Sequence, residues 1–137
     1  MRRLAADEDG SILPLAVGYA LLALVLVFVC TCATSLHLAQ QRLDQLADAA
    51  ALAGADGFTI ALEQGAPVAT LTDAAVRAQA EAILAGEEDV VLASATAPDG
   101  RSARVEVRAQ WRTPILSAFV PATVTLASIA TSRTALR

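Results

Sequence analysis

A long uncharged segment near the N-terminus constrains this chain more than any other feature. No Asp, Glu, Lys, Arg or His stands between Ser11 and Leu36, a stretch of about 26 residues. As an α-helix this stretch is about 39 Å long, and the apolar core of a bilayer needs about 20 apolar residues to span about 30 Å. The stretch is too long for the apolar region of a cleavable signal peptide. It therefore predicts a transmembrane helix over residues 11–36.

Basic residues on either side of this helix predict its orientation. Arg2 and Arg3 precede the helix, whereas Arg42 alone closely follows it. Because basic residues are retained on the cytoplasmic side, we expect residues 1–10 to be a cytoplasmic segment or leader. The remainder is then extracytoplasmic, and the protein is a single-pass protein of the cell membrane. A second uncharged stretch, residues 113–132, contains two prolines and recurring Thr and Ser, so we interpret it as loop and strand.

Composition excludes several classes of function. The net charge is -4 and no basic stripe occurs, so a nucleic-acid partner is not expected. Cys30 and Cys32 lie inside the apolar segment, where a spacing of two points their side chains to different sides of a helix and prevents a mutual disulfide. We interpret them as small apolar residues, with lipid attachment or an intermolecular bridge as the alternatives. His37 is interpreted as an interfacial residue, with a proton-sensitive switch or ligand as the alternative.

The chain offers no pattern that is typical of an enzyme. Apart from His37 it contains no His, and it contains no Lys and no Cys beyond the apolar segment, so the usual nucleophile and base pairs are missing. The carboxylates of Glu87, Glu88 and Asp89 lack the spacing of a calcium-binding loop and read as a solvated turn. We therefore expect no catalytic residues, no cofactor, no metal and no small-molecule substrate.

Helical periodicity continues beyond the uncharged segment. Apolar residues recur at spacings of three and four while Gln and Asp occupy the opposite face, and this is typical of an amphipathic helix. Gly54 and Gly57 are the predicted stops, so the continuation covers residues 37–56. Its apolar face consists of seven residues: Leu36, Ala39, Leu43, Leu46, Ala47, Ala50 and Ala53.

Residues 57–137 are predicted to form a small extracytoplasmic α+β domain. A loop over residues 58–70 is followed by a short helix that begins after Thr70 or Thr72, either of which can cap it. The helix is expected to end near Gly86. Its predicted buried stripe consists of Val76, Ala80, Ile83 and Leu84.

Three strands are predicted after the short helix, and together they form an antiparallel meander. The first covers Val90–Ala97 and ends at the turn Pro98–Gly100, whose residue types favour tight turns. In the second, apolar and charged residues alternate up to Arg112, which indicates one buried and one wet face. A connection with Pro114 and Pro121 then leads to a last strand over Thr123–Ser132.

Two segments give the chain a family likeness. Residues 10–15 read GSILPL, and residues 41–56, after the apolar helix, read QRLDQLADAAALAGAD. Both segments resemble the N-terminal region of TadE/TadG-like proteins, which belong to the Tad (tight adherence, Flp-type) pilus assembly systems. The resemblance implies a pilin-like fold and a minor pilin, a pseudopilin or a membrane-bound assembly factor without catalytic residues.

The resemblance also implies partners and a processing site. Expected partners are membrane lipid and other pilus or secretion assembly proteins, which the apolar face of the continuation would contact by helix packing. A leader would end at Gly10 and be cut before Ser11, releasing an extracellular filament subunit. Type IV pilins usually carry a Glu five residues after the cut, and this chain has Leu15 at that position. This departure favours a relationship with the TadE-like or TadG-like accessory proteins. The alternative function is a membrane-anchored extracytoplasmic binding module unrelated to pili.

Overall fold

Alanine-rich helix and alternating strands combine into an α+β fold. The computed structural model describes residues 9–113 and 123–133. The elements in chain order are α1 (Asp9–Asp56), β1 (Thr59–Glu63), β2 (Ala66–Thr70), α2 (Asp73–Leu84), β3 (Val90–Thr96), β4 (Ser102–Arg112) and β5 (Thr123–Arg133). This order confirms the predicted long helix, short helix and three-stranded antiparallel sheet.

The long helix contributes to two compact units. One unit is Met1–Ser35 and the other is Leu36–Arg137, so the second half of α1 folds with the strands. The helix ends at Asp56, and the amide of Gly57 donates to the carbonyl of Gly54 at 3.2 Å. Gly54 itself lies inside α1 and does not end it. A Cβ atom at Gly54 would lie 2.9 Å from Val76 Cγ1, so glycine permits a close approach of α2 to α1.

Residues 59–70 form a β-hairpin, so the prediction of a loop over residues 58–70 is wrong. β1 and β2 pair antiparallel, with Leu62 opposite Pro67. The turn residues Gln64 and Gly65 both have positive φ, 52° and 82°, as the two-residue turns that join short strands require. The signal was missed because Gln-Gly is a less common turn pair than Asn-Gly, and because proline is unusual within a strand.

The second helix, α2, buries one apolar stripe in the core and is capped at its N-terminus by a threonine. Thr72 is the N-cap, and its hydroxyl accepts from the Ala75 amide at 3.3 Å, which satisfies one of the free amides of the first turn. Val76, Ala80 and Leu84 are buried, as predicted. Ile83 is 42 % exposed, so its place in the buried stripe was predicted wrongly.

The three-stranded sheet has the order β3-β4-β5, with both pairs antiparallel. Along β4 the predicted alternation is confirmed, because Val105 and Val107 are fully buried while Arg104 and Arg108 are exposed. β5 begins at Thr123 as predicted. The predicted connection with Pro114, Ile115, Leu116, Phe119 and Pro121 lies outside the described residues.

The core of this unit joins α1, α2 and the sheet. Its buried side chains come from all of these elements, with small alanines on α1 that allow close packing of helix against strand. The members are Leu43, Ala47, Ala50, Ala51, Ala55, Leu71, Val76, Ala80, Leu84, Ala95, Ala103, Val105, Val107, Leu126 and Ala130.

The turn between β3 and β4 is organised by the carboxylate of Asp99. Its Oδ1 accepts from the amides of Arg101 (3.0 Å) and Ser102 (2.6 Å), and its Oδ2 accepts from the Ser102 hydroxyl at 2.8 Å. The hydrogen bond from the Arg101 amide, followed by those from Ser102, lowers the pKa of Asp99 from 3.8 to about 2. Gly100 completes the turn with a φ of 66°. The predicted Pro98–Gly100 turn is thus confirmed.

This carboxylate predicts a pH-dependent contribution to stability. Because the pKa of Asp99 is lower in the folded state (about 2) than its ordinary value of 3.8, its contribution is complete above the ordinary value and is lost as the pH falls through about 2. We therefore expect Asp99→Asn to lower the free energy of unfolding at pH 6, with a difference that shrinks towards pH 2. Urea unfolding in detergent at a series of pH values measures this. Asp48→Asn, at an exposed position of α1, is the control, and a pH-independent loss in Asp99→Asn would contradict the assignment.

Candidate functional site

The N-terminal half of α1 presents apolar side chains on all sides. Among the described residues, α1 is the one helix long and apolar enough to cross a membrane, and no part of its most apolar window is buried within the protein. A helix that is apolar all round is stable only where lipid or other helices cover it. Its exposed large side chains are Ile12, Leu13, Leu15, Val17, Tyr19, Leu21, Leu22, Leu24, Val25, Leu26, Val27 and Val29.

The predicted packing face of α1 lies mainly against the chain's own sheet. Leu43 is 2 % exposed, and Ala47 and Ala50 are fully buried in the core. Leu36, Ala39 and Leu46 are partly buried against the same core. Ala53 is also partly buried. A contact of this face with pilus or secretion proteins stays a prediction, and such a partner would have to displace β4 and β5.

Sequence reasoning missed two residues of this face. Ala51 and Ala55 are buried at 1 % exposure each, and Gly54 lies between them against Val76 and Ala103. A helix turns once every 3.6 residues, so after Ala47 the buried face drifts to positions 50, 51, 54 and 55. The sequence prediction continued the apolar face from Ala50 with a spacing of three residues and therefore included Ala53 in place of these alanines. The 3.6-residue period would have found both alanines.

Polar contacts hold the second half of α1 to the rest of its unit. Gln40 Nε2 donates to the Ala127 carbonyl of β5 at 3.2 Å and to Asp44 Oδ1 at 2.9 Å. Arg42 donates to Glu87 Oε2 at 2.8 Å, in the turn after α2. Glu87 therefore forms an ion pair with α1 in addition to lying in a solvent-exposed turn. The Arg42 side chain is 71 % exposed, so the pair contributes at most about 1 kcal/mol.

One histidine and two cysteines lie on α1 near Leu36. His37 Nε2 lies 3.1 Å from Gln41 Nε2 in a hydrogen bond along the helix surface. Cys30 and Cys32 are free thiols. The interfacial position of His37 stays a prediction.

A shallow groove lies between α1 and the sheet. Its volume is about 340 Å³, and its lining includes Leu43, Leu126, Trp111, Glu88 and Arg112. Within residues 9–113 and 123–133, no group of three or more His, Cys, Asp or Glu side chains is placed to hold a metal ion. The lining of the groove combines apolar side chains with charged ones.

Comparison with known proteins assigns the N-terminal part of the chain. Residues 10–57 match the family Tad, described as "Putative Flp pilus-assembly TadE/G-like". No curated protein and no solved structure matches the chain. The matched range coincides with α1 (Asp9–Asp56) and contains both segments on which the resemblance was based. Residues 10–57 are therefore similar to TadE/G-like proteins of the Flp pilus-assembly type, and they contain the helix that is long and apolar enough to cross a membrane.

Proposed function

We propose that this protein is a non-enzymatic, membrane-anchored component of a Flp-type pilus or related secretion apparatus, either a minor pilin-like subunit or an assembly factor. The main support for this proposal is that the family match and the apolar helix cover the same residues. The range that matches TadE/G-like proteins, residues 10–57, is the same helix whose first half exposes only lipid-compatible side chains over residues 12–29. The family likeness is therefore located in the stem of the molecule, where a helix can pack against other helices.

The membrane half of α1 supplies the surface for this packing. Its large apolar side chains over residues 12–29 are exposed except for the half-buried Phe28, whereas the face from Leu43 to Ala50 is already covered by the chain's own strands. Gly18 lies in a shallow depression of about 200 Å³, lined also by Leu15, Tyr19 and Leu22. A Cβ atom at Gly18 would meet nothing within 4 Å. Small residues in such a position let a second transmembrane helix approach closely.

Orientation and processing follow from the same proposal. With Arg2 and Arg3 held in the cytoplasm, the unit that contains the sheet lies on the extracytoplasmic side. Cleavage between Gly10 and Ser11 stays a prediction, as does release into an extracellular filament.

Enlarging Gly18 tests the proposed packing. We expect Gly18→Leu to lower co-purification with pilus assembly proteins by about tenfold, which equals about 1.4 kcal/mol of binding free energy, because the added side chain fills the depression. Membrane insertion is unaffected, since leucine favours the bilayer. The measurement is cross-linking in the native membrane, followed by affinity purification and mass spectrometry.

Ala20→Leu is the matched control for this experiment. Ala20 lies about 200° around the helix from Gly18, so the same gain in volume falls on the opposite side and co-purification is expected to persist. Equal binding by both variants would show that Gly18 is not at the contact. If the wild-type protein brings down no pilus or secretion protein at all, the alternative of an anchored binding module replaces the proposed function.

A further inference from the structure

The end of the sheet beside Leu36 differs in chemistry from the opposite end. Trp111 is the only tryptophan of the chain. It lies on β4 and is paired with Val124 on β5, and the next pair of the two strands is Arg112 with Thr123. Trp111 is partly buried against the core, as is Leu36, and Val124 is 37 % exposed. We call these four residues, Leu36, Trp111, Arg112 and Val124, the proximal edge.

The opposite end of the sheet is charged. There Arg133 lies 3.5 Å from Asp99, and Arg101 is exposed beside them. This end lies next to Gly54 near the C-terminus of α1, because a Cβ at Gly54 would be 3.3 Å from Ala103 Cβ. From Leu36 to Gly54 the helix axis advances about 27 Å, so the two ends of the sheet are well separated along α1.

Contacts within this unit give the level of the proximal edge along α1. Gln40 bonds the Ala127 carbonyl at 3.2 Å, so these two residues lie at the same level. Val124 lies three residues before Ala127 on β5, about 10 Å further towards the N-terminus of α1. Leu36 lies four residues before Gln40, about 6 Å in the same direction. Trp111 and Arg112 also line one groove with Ala39, so this end of the sheet reaches to within about one helical turn of Leu36.

Leu36 is also the last residue of the uncharged segment that begins at Ser11. About 20 residues of that segment cross the apolar core of a bilayer, and the headgroup region adds about 5–7 Å on each side. Counted from Ile12, the core is crossed near Thr31, so Leu36 falls at the level of the headgroups. The proximal edge of the sheet lies within about one helical turn of this level.

We propose that the proximal edge rests on the lipid headgroups of the membrane, with Trp111 as an interfacial anchor and the Arg112 guanidinium bound to a lipid phosphate. Tryptophan favours the membrane–water interface because its ring is apolar and its N–H is polar. Arginine binds phosphate through two parallel hydrogen bonds. This inference rests on the membrane span of the proposed function.

The single tryptophan provides a direct test in the intact protein. The wild-type chain is reconstituted into phosphatidylcholine vesicles that carry a nitroxide either on the headgroup or deep in the acyl chain. We expect the headgroup label to quench Trp111 fluorescence by about a factor of two and the deep label to quench it less, because tryptophan prefers the interface. Weak quenching by both labels in protein that floats with the vesicles would overturn the inference and leave the span intact.

A relocated tryptophan is the control for this experiment. Ile60 of β1 is 65 % exposed and lies beyond the C-terminal end of α1, so Ile60→Trp in a Trp111→Phe background places the fluorophore at the far end of the unit. We expect little quenching by either lipid label and strong quenching by aqueous acrylamide. Equal lipid quenching of both proteins would overturn the inference. Failure of the wild-type protein to float with vesicles would overturn the span itself, and the lipid contact with it.

Discussion

Leu43→Asp is expected to unfold the unit that contains the sheet. The Leu43 side chain is 2 % exposed and belongs to the core shared by α1 and the strands. Removal of a buried leucine side chain costs about 2–5 kcal/mol, and a buried carboxylate without a partner adds to that cost. A unit of this size has a total stability of about 5–10 kcal/mol. The midpoint of urea unfolding in detergent, followed by Trp111 fluorescence, is therefore expected to fall sharply or to disappear.

Leu52→Asp on the same helix is the matched control. Leu52 is 59 % exposed, so the same chemical change is expected to alter the free energy of unfolding by about 0.5 kcal/mol or less. If Leu43→Asp kept the wild-type midpoint, α1 would not be part of this core. The comparison also affects the interpretation of binding experiments, because loss of a partner in Leu43→Asp would report unfolding and not the loss of a contact surface.

The second large effect is expected for Gly54→Leu. A Cβ atom at Gly54 would lie 2.9 Å from Val76 Cγ1, 3.3 Å from Ala103 Cβ and 3.6 Å from the Val76 Cα. Helix propensity favours leucine over glycine by somewhat under 1 kcal/mol, but overpacking of a filled core costs about 1–3 kcal/mol for a few methylene groups. Leucine adds four carbon atoms, so packing outweighs propensity, and we expect a net loss of about 2 kcal/mol in the same urea experiment.

Ala49→Leu serves as the control for the glycine substitution. Ala49 is exposed on α1, so added volume there meets solvent and the expected change is within about 0.5 kcal/mol. A Gly54→Leu protein more stable than wild type would show that α1 and α2 do not approach each other as closely as the structure places them.

Local patterns in the sequence predicted most of the secondary structure. Alternation along β4, a threonine cap at Thr70 or Thr72 and the Pro98–Gly100 turn each depend on interactions between residues close together in the chain. The alternation and the turn were confirmed, and the structure selects Thr72 as the cap. The β1–β2 hairpin was missed because its five-residue strands are short and its turn residues, Gln64 and Gly65, are an uncommon pair. Short strands depend on cross-strand pairing for their stability, and a local pattern does not report that pairing.

By itself, the sequence determined that residues 11–36 form a membrane-compatible helix and that the continuation of α1 has an apolar face as far as Ala50. Both conclusions follow from charge and periodicity, which are properties of neighbouring residues. Only the tertiary structure decided what covers that face, namely the chain's own sheet through Leu43, Ala47 and Ala50. Likewise, only the fold showed that Gly54 is a packing residue. The hydrophobic effect acts without direction, so an apolar stripe predicts burial but does not identify its partner until distant segments pack together.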